Sequence, residues 1–277
     1  MSDPVRAWGE ALVGWGIPEE ILERAPESPW IYPTETFRRR AEHAIQRGAE
    51  TTPTIDRARE ALPDDGTVLD VGVGAGAASL PLASRASLVV GVDASEEMLA
   101  AFREAAGRAG ARVETIAGLW PDVAGDAPHV HVAVCAHVLY NVQDLEPFVR
   151  ALEEHAERRV VLELTQTHPL AWMNELWLRF HDLRRPDRPS ADDAVAALRQ
   201  LGIAVQVERT VRRSRSGGFE RREEAIAVVR RRLCLGSDRD EEIAEALGPQ
   251  LEEDDGAWSA GPLEQAVVTL WWDPARG

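Results

Sequence analysis

Short apolar segments alternate with amphipathic ones through the middle of the chain, and this alternation predicts an α/β protein. Apolar, β-branched segments bounded by turns are typical of buried strands, whereas apolar residues three or four positions apart indicate helices. Helices are predicted between the strands, including one that begins directly after the glycines at 72–76 and others at 95–109 and 144–155. The predicted strands lie at about 67–71, 87–93, 111–116, 130–135, 159–164, 202–213 and 264–272.

The segments on either side of this core are predicted to be mainly helical. Helices in residues 1–64 form an N-terminal cap ahead of a main domain at 65–277, and a helical insertion at about 219–262 precedes the last strand. Polar residues at 251–262 predict a loop at the end of the insertion. The N-terminal part also contains a group of aromatic residues: Trp8, Trp15, Trp30, Tyr32 and Phe37. Two alternatives stay open for them, a layer packed on the sheet or a lid over a substrate pocket.

The segment from Asp70 to Gly76, with the sequence DVGVGAG, follows the first predicted strand directly. Glycines spaced by single small residues form a tight turn that lets the backbone approach a ligand closely. A second acid, Asp93, ends the next predicted strand, and a carboxylate there can accept both hydroxyls of a ribose. Together these features predict a nucleoside-containing cofactor across the carboxyl ends of the first two strands.

The glycines fit two patterns. Gly72, Gly74 and Ala77 match the Gly-x-Gly-x-x-Ala fingerprint of dinucleotide-binding folds. With Asp70 and Gly76, the same stretch resembles motif I of the class I S-adenosylmethionine-dependent methyltransferases, as does the following GVDASEEM segment. We favour the second interpretation, because the charge of Asp70 would repel a pyrophosphate but suits the cationic amino group of a methionine moiety. The resemblance implies a Rossmann-like, seven-stranded, mostly parallel sheet, with S-adenosylmethionine as cofactor and S-adenosylhomocysteine as product.

The resemblance also implies roles for individual residues. The three glycines and Asp70 hold the methionine part, Asp93 binds the ribose, and Leu119 or Trp120 packs on the adenine, with Asp122 as the nearest acid. The cofactor-facing candidates are Asp70, Gly72, Gly74, Gly76, Asp93, Ala94, Met98, Leu119, Trp120 and Ala136.

The loop after the fourth strand is expected to face the methyl acceptor. It supplies His137 and Tyr140 as catalytic candidates and Asn141 beside them, and a purely structural role for His137 is the alternative. His168 and Trp172 follow the fifth strand at the same edge of the sheet. His129 and His131 alternate on the fourth strand without a cysteine or acid cluster nearby, so no metal site is predicted.

The composition limits which kinds of substrate and which cellular location are expected. A formal net charge of −16 disfavours a nucleic-acid substrate, and the arginines of 209–232 are expected to pair with the acids of 238–245. With no signal segment, no membrane-length apolar segment and two distant cysteines, the sequence predicts a cytoplasmic protein. The hypothesis is therefore a methyltransferase acting on a small molecule. The alternatives are an NAD-dependent oxidoreductase and a non-catalytic S-adenosylmethionine-binding protein.

Overall fold

The computed structural model describes residues 3–30, 34–46, 52–213, 218–254 and 256–275. Within these ranges the chain builds one seven-stranded sheet and a separate two-stranded hairpin. The hairpin consists of β7 (Leu251–Asp254) and β8 (Ala257–Ala260). The strands of the main sheet are β1 (Gly66–Val71), β2 (Ala86–Asp93), β3 (Val113–Ala117), β4 (Val130–Ala136), β5 (Ala156–Thr165), β6 (Gln206–Arg213) and β9 (Glu264–Trp272).

Helices connect and cover these strands. Those ahead of β1 are α1 (Pro4–Val13), α2 (Glu19–Leu22), α3 (Thr34–Gln46) and α4 (Pro53–Ala61). Those between strands are α5 (Glu96–Ala109), α6 (Leu145–His155), α7 (Asn174–His181), α8 (Ala191–Gln200), α9 (Arg222–Arg232) and α10 (Asp240–Leu247). Ser95 caps α5 by accepting from the amide of Met98, and Ser190 forms a capping box with Asp193 at the start of α8.

The strand order of the main sheet is β3-β2-β1-β4-β5-β9-β6. Within β3-β2-β1-β4-β5, each strand is parallel to its neighbours. β9 lies between β5 and β6 and is antiparallel to both. This confirms the predicted seven-stranded, mostly parallel sheet. The order reverses between β1 and β4, so the connections after these two strands leave in opposite directions. Such a reversal opens a crevice at the carboxyl ends of the strands, where ligands of open α/β sheets bind.

Apolar side chains cover both faces of the sheet. One face packs against α1, α6 and α8, with Trp8 and Phe148 among its fully buried residues. The other face packs against α4 and α5 through residues such as Ile55 and Phe102. A third cluster joins α2, α7, α9 and α10 around Trp177. The N-terminal helices thus contribute to all three clusters.

The helix predicted directly after the glycines is wrong. Residues 75–79 form turns and a bend, and the helical structure between β1 and β2 is a 3-10 helix at Leu80–Leu82. Two local features explain this outcome. Gly76 adopts a φ of +90°, which lies outside the helical region, and Pro81 lacks an amide that a longer helix needs.

The insertion differs from its prediction in one respect. Residues expected to form a polar loop pair instead as the β7–β8 hairpin, and Trp258 of this hairpin exchanges backbone hydrogen bonds with Phe219. Aromatic residues in alternation with polar ones favour strands, which the polar composition concealed. The expected pairing of basic and acidic segments is found at Arg230 and Asp240, 2.9 Å apart. Across the described ranges, no helix combines the length and apolarity that crossing a membrane requires.

Candidate active site

The loop after β1 is held in place by its own backbone. Gly72, Gly74 and Gly76 all have positive φ, at +73°, +52° and +90°. A Cβ on Gly72 would lie 2.2 Å from Val138, and one on Gly76 would lie 2.7 Å from Phe102. These two glycines are therefore required by internal packing. Gly74 is different, because a Cβ there would meet only Phe37, at an ordinary 3.6 Å.

Asp93, at the end of β2, ties this loop to the start of α5. Its Oδ2 accepts from the amide of Gly74 at 2.9 Å, and its Oδ1 accepts from the amide of Ser95 at 2.9 Å. Each carboxylate oxygen can accept a further hydrogen bond, because it has two lone pairs. Asp93 is half-buried, so it is both a strut for the loop and an acceptor open to a ligand.

Asp70 is fully buried in β1, one residue before the turn, and is 1% exposed. Its Oδ2 has no hydrogen-bond partner among the described residues, and neither has the buried hydroxyl of Ser79. Burial raises the pKa of Asp70 to about 7, and the charge of Asp93 adds to the rise while the neighbouring Ser79 acts against it. An unsatisfied buried carboxylate costs free energy, and a cationic or donor group of a ligand would remove that cost.

The loop amides distinguish the two cofactor interpretations. The amides of Gly72 and Val73 both donate to the carbonyl of Val92, and the amide of Gly74 donates to Asp93. No α-helix begins at this loop in the described structure, so no helix dipole points at a ligand there. The three amides already donate within the protein, so they do not serve an anion. Pyrophosphate sites use such features. The carboxylate of Asp70 suits the ammonium group of S-adenosylmethionine, and the carboxylate of Asp93 suits its ribose hydroxyls. The residues present therefore fit that cofactor.

At the adenine end, the structure separates the two aromatic or apolar candidates. Leu119 follows β3 and is 65% exposed at the carboxyl edge. Trp120 is turned into the core, where its indole N–H donates to the carbonyl of Phe148 at 3.2 Å. Trp120 is packed against α6, which leaves Leu119 as the more exposed of the two side chains, and contact of Trp120 with a cofactor stays a prediction.

The remaining cofactor candidates lie close along the chain to these residues. Ala94 is exposed at the turn between β2 and α5, and Met98 is half-buried in the first turn of α5. Ala136 ends β4, half-buried, in register with Glu163 of β5. Asp122 is exposed on the connection after β3. Their roles towards a cofactor stay predictions.

His137 stands at the carboxyl end of β4, next to the Val138 that contacts Gly72. Its φ is +60°, a conformation that histidine adopts more readily than most residues. Its amide donates to the carbonyl of Glu163 at 2.7 Å, and its Nε2 lies 2.9 Å from Glu163 Oε1. The imidazole is 40% exposed, so it is fixed at one nitrogen and open elsewhere.

Glu163 is buried in β5 and was missed in the sequence analysis. Arg212 of β6 donates to its Oε1 at 2.8 Å, and the Thr54 hydroxyl of α4 donates to its Oε2 at 2.5 Å. Burial alone would raise the pKa of this carboxyl, but the hydrogen bond and charge of His137, the charge of Arg212 and the Thr54 hydroxyl hold it well below its ordinary value. A lone acid inside the apolar VVLEL stretch was the sequence signal for such a partnered charge.

Tyr140, predicted as a catalytic residue, is turned into the core of the protein, and its role towards an acceptor stays a prediction. It is 5% exposed, and its hydroxyl donates to the carbonyl of Thr165 at 2.8 Å. Burial raises the pKa of this phenol above its ordinary value, so the hydroxyl does not ionise readily. Its ring stacks on Trp8 of α1 with centroids 5.6 Å apart. Asn141, one residue further, is exposed.

His168 belongs to the same aromatic packing. It stacks on Trp15 at a centroid distance of 3.6 Å, and its Nδ1 accepts from the amide of Leu170. Burial, and next the charge of Arg185, lower the pKa of His168 to about 3. It is therefore a neutral packing residue that fastens the N-terminal segment to the loop after β5. Trp172 is half-buried, with its ring against Gly261.

The N-terminal aromatic residues fall into two groups, which bear differently on the two alternatives of packing on the sheet and a lid over a pocket. Trp8 and Trp15 are buried, and their indole N–H groups donate to the carbonyls of Val142 and Arg188, which is packing. Phe37 of α3 instead lies over Gly74, and Thr34 at the start of α3 hydrogen bonds to Glu97 of α5. Trp30 is 56% exposed. Tyr32 lies outside the described residues.

The histidines of β4 each have a structural partner. His131 accepts from the amide of Thr67 at Nδ1, and His129 stacks on His155. Among the residues that the structure describes, no group of three or more His, Cys, Asp or Glu side chains is arranged to hold a metal ion. Cys135 and Cys234 are both free and buried.

Comparisons with known proteins agree with the fold. Residues 68–158 match the family model described as a methyltransferase domain. A putative methyltransferase from Bacillus halodurans C-125 is 14% identical with a TM-score of 0.52, covering 80% of this chain and 97% of its own. The YcgJ protein of Bacillus subtilis is 18% identical with a TM-score of 0.51, covering 85% of this chain and all of its own. These two structures share the fold. No match was found among the curated proteins.

Proposed function

We propose that this chain, whose residues 68–158 match a methyltransferase domain, is a class I enzyme that transfers the methyl group of S-adenosylmethionine to a small-molecule acceptor. The observation that carries the proposal is the unsatisfied, fully buried carboxylate of Asp70 beside a glycine loop that Asp93 holds. This arrangement has negative charge at one end and hydrogen-bond acceptors at the other. It matches a ligand with an ammonium group and a ribose.

The cofactor supplies an activated methyl group bound to a sulfonium, so the protein's part is to position the reactants and exclude water. In the proposal, Asp70 holds the ammonium directly or through water, Asp93 accepts the ribose hydroxyls, and Leu119 covers one side of the adenine. Gly74 provides the close approach of backbone to ligand, because its Cα faces the one part of the loop that is not filled by internal packing. His137 lies on the side where an acceptor would enter.

A small acceptor is favoured by the charge of the protein and by the form of this edge. The net charge of −16 repels polyanions, and the basic residues Arg209, Arg212 and Arg230 are paired with carboxylates at 2.5–2.9 Å. A nucleic-acid surface needs cationic groups free to meet phosphates. The proposed acceptor side instead presents single groups, such as the 40% exposed imidazole of His137.

Calorimetric titration with S-adenosylmethionine, S-adenosylhomocysteine and NAD tests the cofactor. We expect binding of the first two and not of NAD. The Asp93→Ala variant should lose about 100-fold or more in affinity for S-adenosylmethionine, because two charge-assisted hydrogen bonds disappear and Gly74 loses its anchor. Asp126→Ala removes an exposed carboxylate from the connection ahead of β4 and serves as the matched control.

The possible results separate the hypotheses. Binding of NAD without S-adenosylmethionine would overturn the proposal in favour of an oxidoreductase. Unchanged affinity in Asp93→Ala would refute the role of that carboxylate alone. Binding of S-adenosylmethionine without formation of S-adenosylhomocysteine, across a panel of small acceptors, would favour a non-catalytic binding protein.

A further inference from the structure

Phe37 of α3 lies over the middle of the glycine loop (residues 72–76). A Cβ on Gly74 would lie 3.6 Å from Cδ1 of Phe37, and within the described ranges no other side chain comes within 4 Å of that point. The ring is half-buried, because part of it packs against the apolar cluster that α4 and α5 share. Part of the ring therefore stays accessible beside the loop, and the proposed function gives it no role.

The helix that carries Phe37 is fixed by contacts on several sides. Ala41 is fully buried in the same apolar cluster, and Ile45 packs against it. Ion pairs also join α3 to α5 and to the residues ahead of α9, namely Arg38–Glu104 at 3.3 Å, Arg108–Glu42 at 3.0 Å and Arg39–Glu220 at 3.4 Å. An exposed ion pair contributes little by itself, but together with the buried contacts these pairs fix where the ring lies.

The charge of the cofactor falls beside this ring. In the proposed function, Asp70 holds the ammonium and Asp93 holds the ribose. The sulfonium stands between those two groups in S-adenosylmethionine, joined to each by a short methylene link. Asp70 directly precedes the loop, and Asp93 accepts from the amide of Gly74 at 2.9 Å. A ligand that reaches both carboxylates therefore carries its sulfonium across the loop, next to Gly74 and Phe37.

We propose that Phe37 binds the sulfonium of S-adenosylmethionine through the face of its ring and so discriminates the cofactor from its product. This inference rests on the proposed function and adds the residue that distinguishes the two ligands. The face of an aromatic ring is electron-rich and attracts a cation. S-Adenosylhomocysteine has a neutral thioether at the same place, so its contact with the ring is only apolar.

The two carboxylates leave this task open. Both ligands have the ammonium and the ribose, so the hydrogen bonds at Asp70 and Asp93 do not separate them. A residue that does so has to act at the sulfur. A phenyl ring suits that place, because it attracts a cation without offering a lone pair that would compete with the acceptor for the methyl group. Its partial burial strengthens the attraction, since cation–π contacts are worth more away from water.

Calorimetric titration measures the discrimination directly. The ligands are S-adenosylmethionine, S-adenosylhomocysteine and sinefungin, in which an amine-bearing carbon replaces the sulfur and its methyl, so that sinefungin is charged like the cofactor. Phe37→Leu should weaken binding of the two charged ligands by about 5-fold and that of S-adenosylhomocysteine by less than about 2-fold. The matched control Ile45→Ala alters the packing of the same helix away from Gly74 and should leave the ratio of affinities unchanged.

A second substitution separates charge from shape. Incorporation of trifluorophenylalanine at position 37 keeps an apolar ring of similar size, while its fluorines withdraw electron density from the ring face. We expect affinity for S-adenosylmethionine and sinefungin to fall by about 5-fold again, with that for S-adenosylhomocysteine unchanged. Thermal unfolding without ligand should match the native protein, because the packing of α3 is kept.

Three results would overturn the inference: equal losses for S-adenosylmethionine and S-adenosylhomocysteine in Phe37→Leu, tighter binding of both, or no effect of the fluorinated ring on the charged ligands. The first would make Phe37 a packing residue, and the second would make it an obstruction of the crevice. In each case the native protein still binds S-adenosylmethionine, so the proposed function stands. Absence of binding to the native protein would overturn the proposed function itself, and the two failures are thus distinguishable.

Discussion

Two buried carboxylates lie at the same edge of the sheet, and they differ in their hydrogen-bond partners and in the direction of their pKa shifts. Asp70, in β1, has an oxygen without a partner, and burial raises its pKa to about 7. Glu163, in β5, receives hydrogen bonds from three residues, which hold its pKa well below the ordinary value. Both side chains are almost fully buried, so burial alone does not distinguish them. The difference lies in how many donors the protein supplies.

This contrast indicates where a ligand is needed. A carboxylate that the protein satisfies has its role within the protein, and Glu163 uses its charge to hold His137. A carboxylate that the protein leaves unsatisfied lowers stability until something else supplies the missing partner. Asp70 is therefore the stronger indication of a binding site, and Glu163 the stronger indication of a tuned side chain.

The largest expected effect is on stability, and it has opposite signs at the two sites. Glu163→Gln should destabilise the ligand-free protein by about 3 kcal/mol at neutral pH, because a buried ion pair loses one partner. Asp70→Asn should stabilise it by up to about 4 kcal/mol above pH ~7, because a buried charge with an unpartnered oxygen is removed. Urea unfolding of both variants and the native protein measures this. Equal signs would show that the two carboxylates do not differ as described.

The pH dependence of these changes follows from linkage. The pKa of Glu163 is lowered by folding, so its contribution is present above its unfolded value and is lost as pH falls through its folded one. Asp70 is the reverse case. Its pKa rises from 3.8 to about 7, so the folded state binds more protons between these values and stability falls as pH increases from about 4 to 7. The Asp70→Asn variant should lack that slope.

Much of this edge was predictable from sequence, because backbone chemistry dictated it. The sequence predicted that Asp70 and Asp93 lie near the ends of the first two strands, because each follows an apolar segment and stands shortly before a glycine or a serine. It did not predict the order of the strands in the sheet. The absence of a helix after Gly76 was not predicted, because the φ of that glycine depends on packing against Phe102 and Leu80. The inward orientation of Trp120 and Tyr140 was not predicted either, for a related reason. Whether an aromatic residue after a strand turns inward is decided by distant partners, here Phe148 and Thr165.

Glu163 shows the limit more sharply. Its partners Thr54 and Arg212 lie 109 and 49 residues away in sequence, and only the antiparallel insertion of β9 between β5 and β6 brings Arg212 to the same edge. The sequence signals that a buried acid exists. It does not signal which residues satisfy it, and therefore cannot by itself separate a site like that of Asp70 from one like that of Glu163.

A smaller effect is expected on the pH dependence of S-adenosylmethionine binding, and it tests whether Asp70, unlike Glu163, receives its missing partner from the cofactor. If the ammonium of S-adenosylmethionine supplies the missing partner, binding favours the ionised carboxylate and releases a proton wherever Asp70 is protonated in the free protein. Affinity should then rise by up to about 10-fold per pH unit below pH ~7 and level off above it. Calorimetry in buffers of different ionisation enthalpy counts the protons released. Asp70→Asn should release none near pH ~7, and Glu163→Gln should release as many as the native protein.

The smallest effect concerns Leu119, whose side chain is apolar and exposed. Leu119 and Val13 are about equally exposed, at 65% and 63%, but only Leu119 lies at the carboxyl edge. If the adenine covers Leu119, its truncation to alanine removes apolar contact worth about 1 kcal/mol, or about 5-fold in affinity for S-adenosylmethionine. The matched Val13→Ala variant should bind as the native protein does. Because the lost contact is apolar, the 5-fold loss should be the same at pH ~6 and pH ~8, whereas every effect that passes through Asp70 changes across that interval. A loss in Leu119→Ala that varied with pH would mean that the side chain acts by altering the surroundings of Asp70 rather than by contact with the adenine.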